Sequence, residues 1–389
     1  MAPSSPSTDA ATLLIDQTHT LTTLLSQFSI TLSSPPQSSP SPLNISDPPN
    51  PLSLLTTTAT LLRAHTTKVS LLLLNPPFTP SALHRELREI GGSVLPAMMS
   101  AVQICDAERG TKYPDVLCEE VRSRVGDCVR EVQTVVSRVR SLAEEFRNEG
   151  KSLGGKGDER EVKKVTERLD GLGLGGGDAG EAGRDVLAST GVGWEACDKL
   201  VGLGKAGLVG VVVKRVQEWR DLVKDAVEEL KEWGEEDEEQ DEEDEVDEVE
   251  EDKDSLAEIF GADKLPKGHE GLRVQLEAAL KKLKLVGTLY QAIVKRRLLT
   301  LPPILDDRPE VTPRLDDLIA KLKEIPGAVD DLAGAFYELD EKQAQRKLDV
   351  CCGTAQEAVA LISKNWQGIE DPFTEWSKKW TDALQAMGK

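Results

Sequence analysis

Apolar residues along this chain recur at spacings of three and four, the period of an amphipathic helix. The clearest run is Val121, Val125, Cys128, Val132, Val135, Val139, Leu142 and Phe146, one unbroken seam with Arg and Glu on the other faces. An intramolecular bundle and a coiled-coil dimer both need such a seam, so oligomeric state stays open; three more amphipathic helices nearby favour the bundle. Upstream, Leu21, Leu24, Leu25, Phe28 and Leu32 predict a first helix over about Asp9–Leu32. Six prolines between Pro35 and Pro49 exclude regular structure after it. Asn50–Pro51 then supplies a cap and a first helical residue for a second helix, which ends at Leu74 before Asn75-Pro76-Pro77. Thr79–Pro80 opens a third that runs to about Gly110, where Gly91–Gly92 and Pro96 should kink or split it.

Downstream, Asp185–Leu200 and Lys205–Trp233 read as helices, followed by Leu272–Leu299. A second long seam, Leu315, Leu318, Leu322, Ile325, Val329, Leu332, Phe336 and Leu339, opens at Thr312–Pro313, and Pro326 inside it should kink or split its helix. Two last helices span Glu341–Asn365 and Pro372–Met387, and Ser255–Glu258 has capping-box spacing. No alternating strand pattern survives, and the only β-leaning run, Leu208–Val216, has helical flanks. The expected fold is all-α: two antiparallel bundles of four to five helices, over residues 9–233 and 255–389, after a loose tail at 1–8. Flexible inserts are expected at 33–50, rich in Pro and Ser, and at 150–183, rich in Gly.

Between the bundles lies residues 234–254, and charge makes this stretch distinct. Of the twenty residues from Glu235 to Asp254, sixteen are acidic and one is basic, so it holds −15 of the formal −21. Like charges at that density repel and leave almost nothing apolar to bury, which predicts a solvated, disordered strap. The acidic balance argues against nucleic acid as a direct partner and permits basic proteins. Aromatic content of 4% leaves Leu, Val and Ala to fill the cores. No secretory signal and no apolar run near the ~20 residues of a membrane helix is apparent, so no membrane partner is expected. The six cysteines lack metal-ligand spacing and read as reduced, buried thiols.

Candidate chemistry is sparse. Gly171/Gly173/Gly176 and Gly202/Gly204/Gly207 match a dinucleotide glycine pattern, the second with Asp225 downstream, but neither follows a strand as that site requires. Gly150 to Lys156 imitates a phosphate loop, with Gly157 where the magnesium-binding hydroxyl belongs. His19, His65, His84 and His269 have no partners at ligand spacing. No cofactor, no metal and no catalytic group is expected. Trp366, Phe373, Trp376 and Trp380 crowd the C-terminal end, either packing the last helix or anchoring a partner. Trp219 and Trp233 fit the core, and Lys295-Arg296-Arg297 fits the C-terminal dipole of its own helix.

One resemblance adds to this. Gly193-Trp194-Glu195-Ala196-Cys197-Asp198, a long helix and then an acidic stretch resembles the middle of the cyclin-D-interacting protein family. Leu315-Asp316-Asp317-Leu318, the run from Ile325 through Asp330-Asp331 to Ala333, and Tyr337 are similar to its C-terminal half, so the likeness runs from about Leu187 onward. It implies helical bundles similar to talin and vinculin domains, and a regulator rather than an enzyme. Members bind cyclin D, restrain phosphorylation of retinoblastoma protein by cyclin-dependent kinase, and associate with helix-loop-helix proteins in cytoplasm and nucleus. Candidate partner-binding residues are therefore Trp194, Asp198, Asp316, Asp317, Asp330 and Asp331, with Trp366, Trp376 and Trp380 from the aromatic cluster. The paired acids can cap a helix, bridge to Lys or Arg, or face a partner. Two other readings compete: an acidic chaperone or scaffold for basic proteins such as histones, and a talin-like cytoskeletal scaffold.

Overall fold

The computed structural model describes residues 6–35, 48–75, 77–152, 181–235, 265–266, 268–302 and 310–387. They form helices α1 (Pro6–Ser33), α2 (Pro51–Leu74), α3 (Pro80–Glu89), α4 (Leu95–Ala107), α5 (Asp115–Ser152), α6 (Glu181–Gly234), α7 (Glu270–Arg296), α8 (Val311–Tyr337), α9 (Glu341–Leu361) and α10 (Pro372–Ala386). No β-strand occurs among the described residues, and the fold is all-α. The acidic stretch beyond Glu235, the Pro/Ser segment over 36–47, most of the glycine-rich insert and the capping box at Ser255 lie outside the described residues.

The chain divides into two compact units, one of Met1–Arg109 with Leu117–Gly207 and one of Gly110–Val116 with Leu208–Lys389. Sequence patterning puts the acidic stretch between the bundles and leaves open which of them holds the helix over Lys205–Trp233. The division falls inside α6, at Gly207, where φ of +63° and ψ of −170° break the helix. Only glycine adopts that conformation readily, because any Cβ would crowd the backbone. The half of α6 from Leu208 onward goes with the second unit, where Trp233 packs its ring 5.3 Å from Tyr337 and 6.4 Å from Phe336.

In the first unit the α5 seam is buried within the chain: Val121, Val125 and Val139 are fully enclosed and Phe146 rests 5.3 Å from Phe78. Each such aliphatic side chain contributes about 1.5–3 kcal/mol by leaving water. Asn50 caps α2 as its sequence predicts, its Oδ1 accepting from Leu52 and Ser53 N–H at 3.0 and 3.2 Å. The helix expected from Pro80 to Gly110 is interrupted by a π-turn at Ile90–Val94 that contains both glycines. There α1 comes close, and a Cβ on Gly91 would lie 2.9 Å from Leu21 Cδ1. Pro80–Ala107 is long and apolar enough to cross a membrane by length and composition, yet Leu83, Leu87, Ile90, Leu95 and Met98 lie fully inside this core.

In the second unit the α8 seam from Leu315 to Phe336 is likewise enclosed. Of the kink or split expected at Pro326, the split does not occur: α8 runs through it as one helix. Proline cannot donate to the carbonyl four residues back, so Leu322 O is orphaned. The buried Tyr290 hydroxyl, reaching across from α7, donates to that oxygen at 2.7 Å. Burial pushes the Tyr290 phenol well above its ordinary value, so it remains a donor at any working pH.

Two outcomes follow. Tyr290→Phe keeps the ring and leaves Leu322 O buried and unpaired, so urea unfolding should show a loss of about 1–3 kcal/mol; no loss would mean that the carbonyl needs no partner. A Cβ on Gly207 would touch nothing within 4 Å, so Gly207→Ala should still destabilise by about 1–3 kcal/mol from backbone strain alone. An unchanged melting temperature would show that α6 tolerates a straight path.

Candidate functional site

The Gly193–Asp198 motif sits on α6 in the first unit, against α2 and α5. Trp194, half-buried, donates its indole N–H to Thr67 Oγ1 at 3.0 Å, and the Arg63 guanidinium lies 5.5 Å from its ring. Arg63 also pairs with Asp198. Cys197 and Cys128 are buried thiols in contact: the hydrogen bond between them and burial both push Cys128 up, while the same bond holds Cys197 below its ordinary value against the opposing effect of burial. All six cysteines are free and buried. Further along α6, Gly204 is set so close to α2 that a Cβ would lie 2.9 Å from Leu52 O. Close approach at Gly204 and the helix break at Gly207 account for two glycines of the dinucleotide-like pattern, and helix rather than strand precedes it. The other glycine pattern and the phosphate-loop imitation fall chiefly on residues outside those described. A motif that looked like recognition thus joins three helices of one core.

His65 does have a partner that its spacing concealed. Its Nδ1 is 2.8 Å from Glu86 Oε2, and Lys68 and Arg85 lie within 3.6 Å of the same carboxylate. Burial raises the Glu86 pKa, but the His65 hydrogen bond and these cations outweigh it and hold the group below its ordinary value. No hydroxyl or thiol is hydrogen-bonded to His65 among the described residues, so the pair joins α2 to α3 without a nucleophile. Among the same residues no cluster of His, Cys, Asp and Glu is arranged to hold a metal.

The paired acids of α8 differ in what they contact. Asp316 Oδ1 accepts from Asp115 N–H at 2.8 Å, which caps the N-terminus of α5. Asp331 bridges to Lys347 Nζ of α9 at 2.6 Å. Asp317 and Asp330 are exposed and make no hydrogen bond or ion pair with the described residues, which leaves them free to meet a partner.

The aromatic cluster resolves toward packing. Trp366 is 2% exposed and donates to Arg297 O at 2.8 Å; Trp380, 4% exposed, donates to Leu285 O at 2.9 Å. Both are core, which corrects their place among the partner anchors. Trp376, half-buried between Phe373 and Trp380 at 5.2 and 6.5 Å, keeps part of its ring at the surface.

Arg297 is also more than a dipole partner of its own helix. It is 1% exposed and reaches past the end of α7 to Ile362 O at 2.8 Å, Ser363 O at 3.2 Å and both oxygens of Asp371 at 2.7 and 2.9 Å. Arg314 takes Leu361 O at 2.7 Å, Asn365 O at 3.0 Å and Lys364 O. Asp371 in turn caps α10 through the Phe373 and Thr374 N–H groups.

A feature that sequence patterning did not reveal lies between the second half of α6 and α7. A groove of about 930 Å³ has Val223, Val227, Leu280, Leu283 and Gly287 as its floor, and a smaller one of about 250 Å³ adjoins it at Arg220 and Gln291. Its volume is that of a ligand or peptide site. The signal available in the sequence was the stripe Lys281, Lys284, Lys295 at helical spacing with Gly287 in between, a pattern that reads as solvated surface until the neighbouring helix is known.

Asp371 provides a pH test of this architecture. The Arg297 hydrogen bond holds its carboxyl below the ordinary 3.8, against the opposing effect of burial. A lowered native pKa contributes stability above the unfolded value and loses it as pH falls through the native one. Denaturant midpoints of the full chain should therefore fall below about pH 4, with a smaller acid dependence in Asp371→Asn. Equal acid dependence in both would remove Asp371 from the account.

Residues 159–236, which include α6, match the protein family described as Grap2 and cyclin-D-interacting, N-terminal. The chain is also 25% identical over 342 residues to an uncharacterized protein of Schizosaccharomyces pombe, covering 87% of this chain and 86% of that one. The Gly193–Asp198 motif lies within the matched segment, and the match supports a place for this chain in the cyclin-D-interacting family.

Proposed function

We propose that this chain is a protein-binding regulator of the cell cycle with no chemistry of its own, which binds cyclin D or a cyclin–kinase complex and so restrains phosphorylation of retinoblastoma protein in cytoplasm and nucleus. The observation that carries this reading is the family match over residues 159–236. Inhibition is stoichiometric and acts through helical surfaces, the groove mode of recognition that bundles use. The exposed Asp317 and Asp330 of α8 and the part-exposed Trp376 of α10 are surface groups consistent with it. Sixteen acids in twenty residues support one competing reading, a polyanion that holds basic proteins such as histones.

The two readings separate in one binding assay. The full chain and a variant lacking residues 235–254 are each tested against a recombinant cyclin D–kinase complex and against core histones, at low and moderate salt. Capture of the cyclin complex by both versions at both salts is expected. Capture of histones alone, lost with the deletion or with salt screening, would overturn the cyclin reading.

A further inference from the structure

The groove between α6 and α7 has a lip on each side, and the lips differ in charge. On the α6 side the charged groups are matched locally: Arg220 with Asp221 at 2.6 Å, Lys224 with Glu228 at 3.2 Å and Lys231 with Glu235 at 3.1 Å. On the α7 side Lys281, Lys284, Thr288, Gln291 and Lys295 form one stripe at spacings of three and four. These three lysines are exposed, and none has an ion pair or hydrogen bond with a described residue. One acid, Glu277, stands at the end of this lip. In a chain of net charge −21, this edge presents unpaired positive charge beside an aliphatic floor.

The floor contains a second clue. Gly287 lies in the interior of α7, where glycine costs roughly 1 kcal/mol relative to alanine. Its φ is not positive, and a Cβ built on it meets nothing within 4 Å. Neither backbone geometry nor close packing within this chain requires glycine there. What the missing side chain does is deepen the groove beside Leu283, Val223 and Val227.

From Glu277 to Lys295 the α7 lip runs about 27 Å at 1.5 Å per residue, the length of a helix of about 18 residues. We propose that this groove docks an amphipathic helix of a partner protein, its apolar stripe seated on Val223, Val227, Leu280, Leu283 and Gly287. Aspartates or glutamates along one border of that helix face Lys281, Lys284 and Lys295. The assignment rests on the groove's own geometry and charge and holds whether or not that partner is a cyclin complex.

The probe is a fluorescein-labelled synthetic peptide of about 18 residues, with leucines at helical spacing and glutamates along one border. A control carries lysines in place of the glutamates. Fluorescence anisotropy with the full chain should show the acidic peptide binding about tenfold or more tighter than the control, with an advantage that shrinks as salt rises. Lys281→Glu combined with Lys284→Glu should weaken it by about tenfold or more. Gly287→Phe should abolish binding at an undiminished melting temperature, since the ring enters open space and a glycine leaves a helix. Four results would overturn the proposal. The peptides bind equally, or neither binds. Binding appears only when residues 236–264 are deleted, which would assign the groove to the chain's own acidic segment. The groove variants change sedimentation of the free protein from dimer to monomer, which would assign it to a second copy.

Discussion

Backbone carbonyls that no helix can satisfy by itself govern how this protein is put together. The C-termini of α1 and α9 carry no basic residue in their last turns, so their final carbonyls need donors from elsewhere. Arg122 of α5 supplies them for α1, at Thr31 O and Ser34 O, each 2.6 Å away. Arg297 and Arg314 supply them for α9, and the Tyr290 hydroxyl supplies the one that Pro326 leaves open in α8. Each arginine presents a fork of donors that stays charged when enclosed. Arg297 lies 4.2 Å from the Phe373 ring and Arg314 5.0 Å from Trp366, so cation–π contact adds to both. With few aromatic residues to bury, the cores are fixed in register by polar groups that reach from one helix to another.

That constraint decides which residues remain available to a partner. Trp366 and Trp380 donate to carbonyls inside the second unit, Asp316 caps α5, and Asp331 is held by Lys347. In the first unit Trp194 and Asp198 are engaged with Thr67 and Arg63. Most of the residues that look like recognition groups in the linear chain are thus occupied in holding helices together. What stays open on the second unit is different in kind: an aliphatic groove without aromatic anchors, edged by lysines that pair with nothing described.

The fold was legible where one helix carries its own signal. The seams of α5 and α8, the Asn50–Pro51 start of α2 and the Pro372 start of α10 follow from local spacing and capping chemistry alone. What escaped sequence reading was set by partners distant in the chain. A proline predicts a break unless a tyrosine thirty-six residues upstream is known to reach its orphaned carbonyl. Gly207 looked like one glycine of a cofactor pattern and proved to be the point where α6 passes from one unit to the other. The groove escaped for the same reason, since its walls lie far apart in sequence and neither is unusual on its own.

On the proposed function, folded helical surfaces, and not the acidic stretch, hold the partner. The decisive measurement is hydrogen–deuterium exchange of the full chain with and without a bound cyclin D–kinase complex. Added protection within the folded helices is expected, along the α6–α7 groove or on the exposed faces of α8 and α10. Protection confined to residues 235–254, with exchange in these helices unchanged, would contradict the reading.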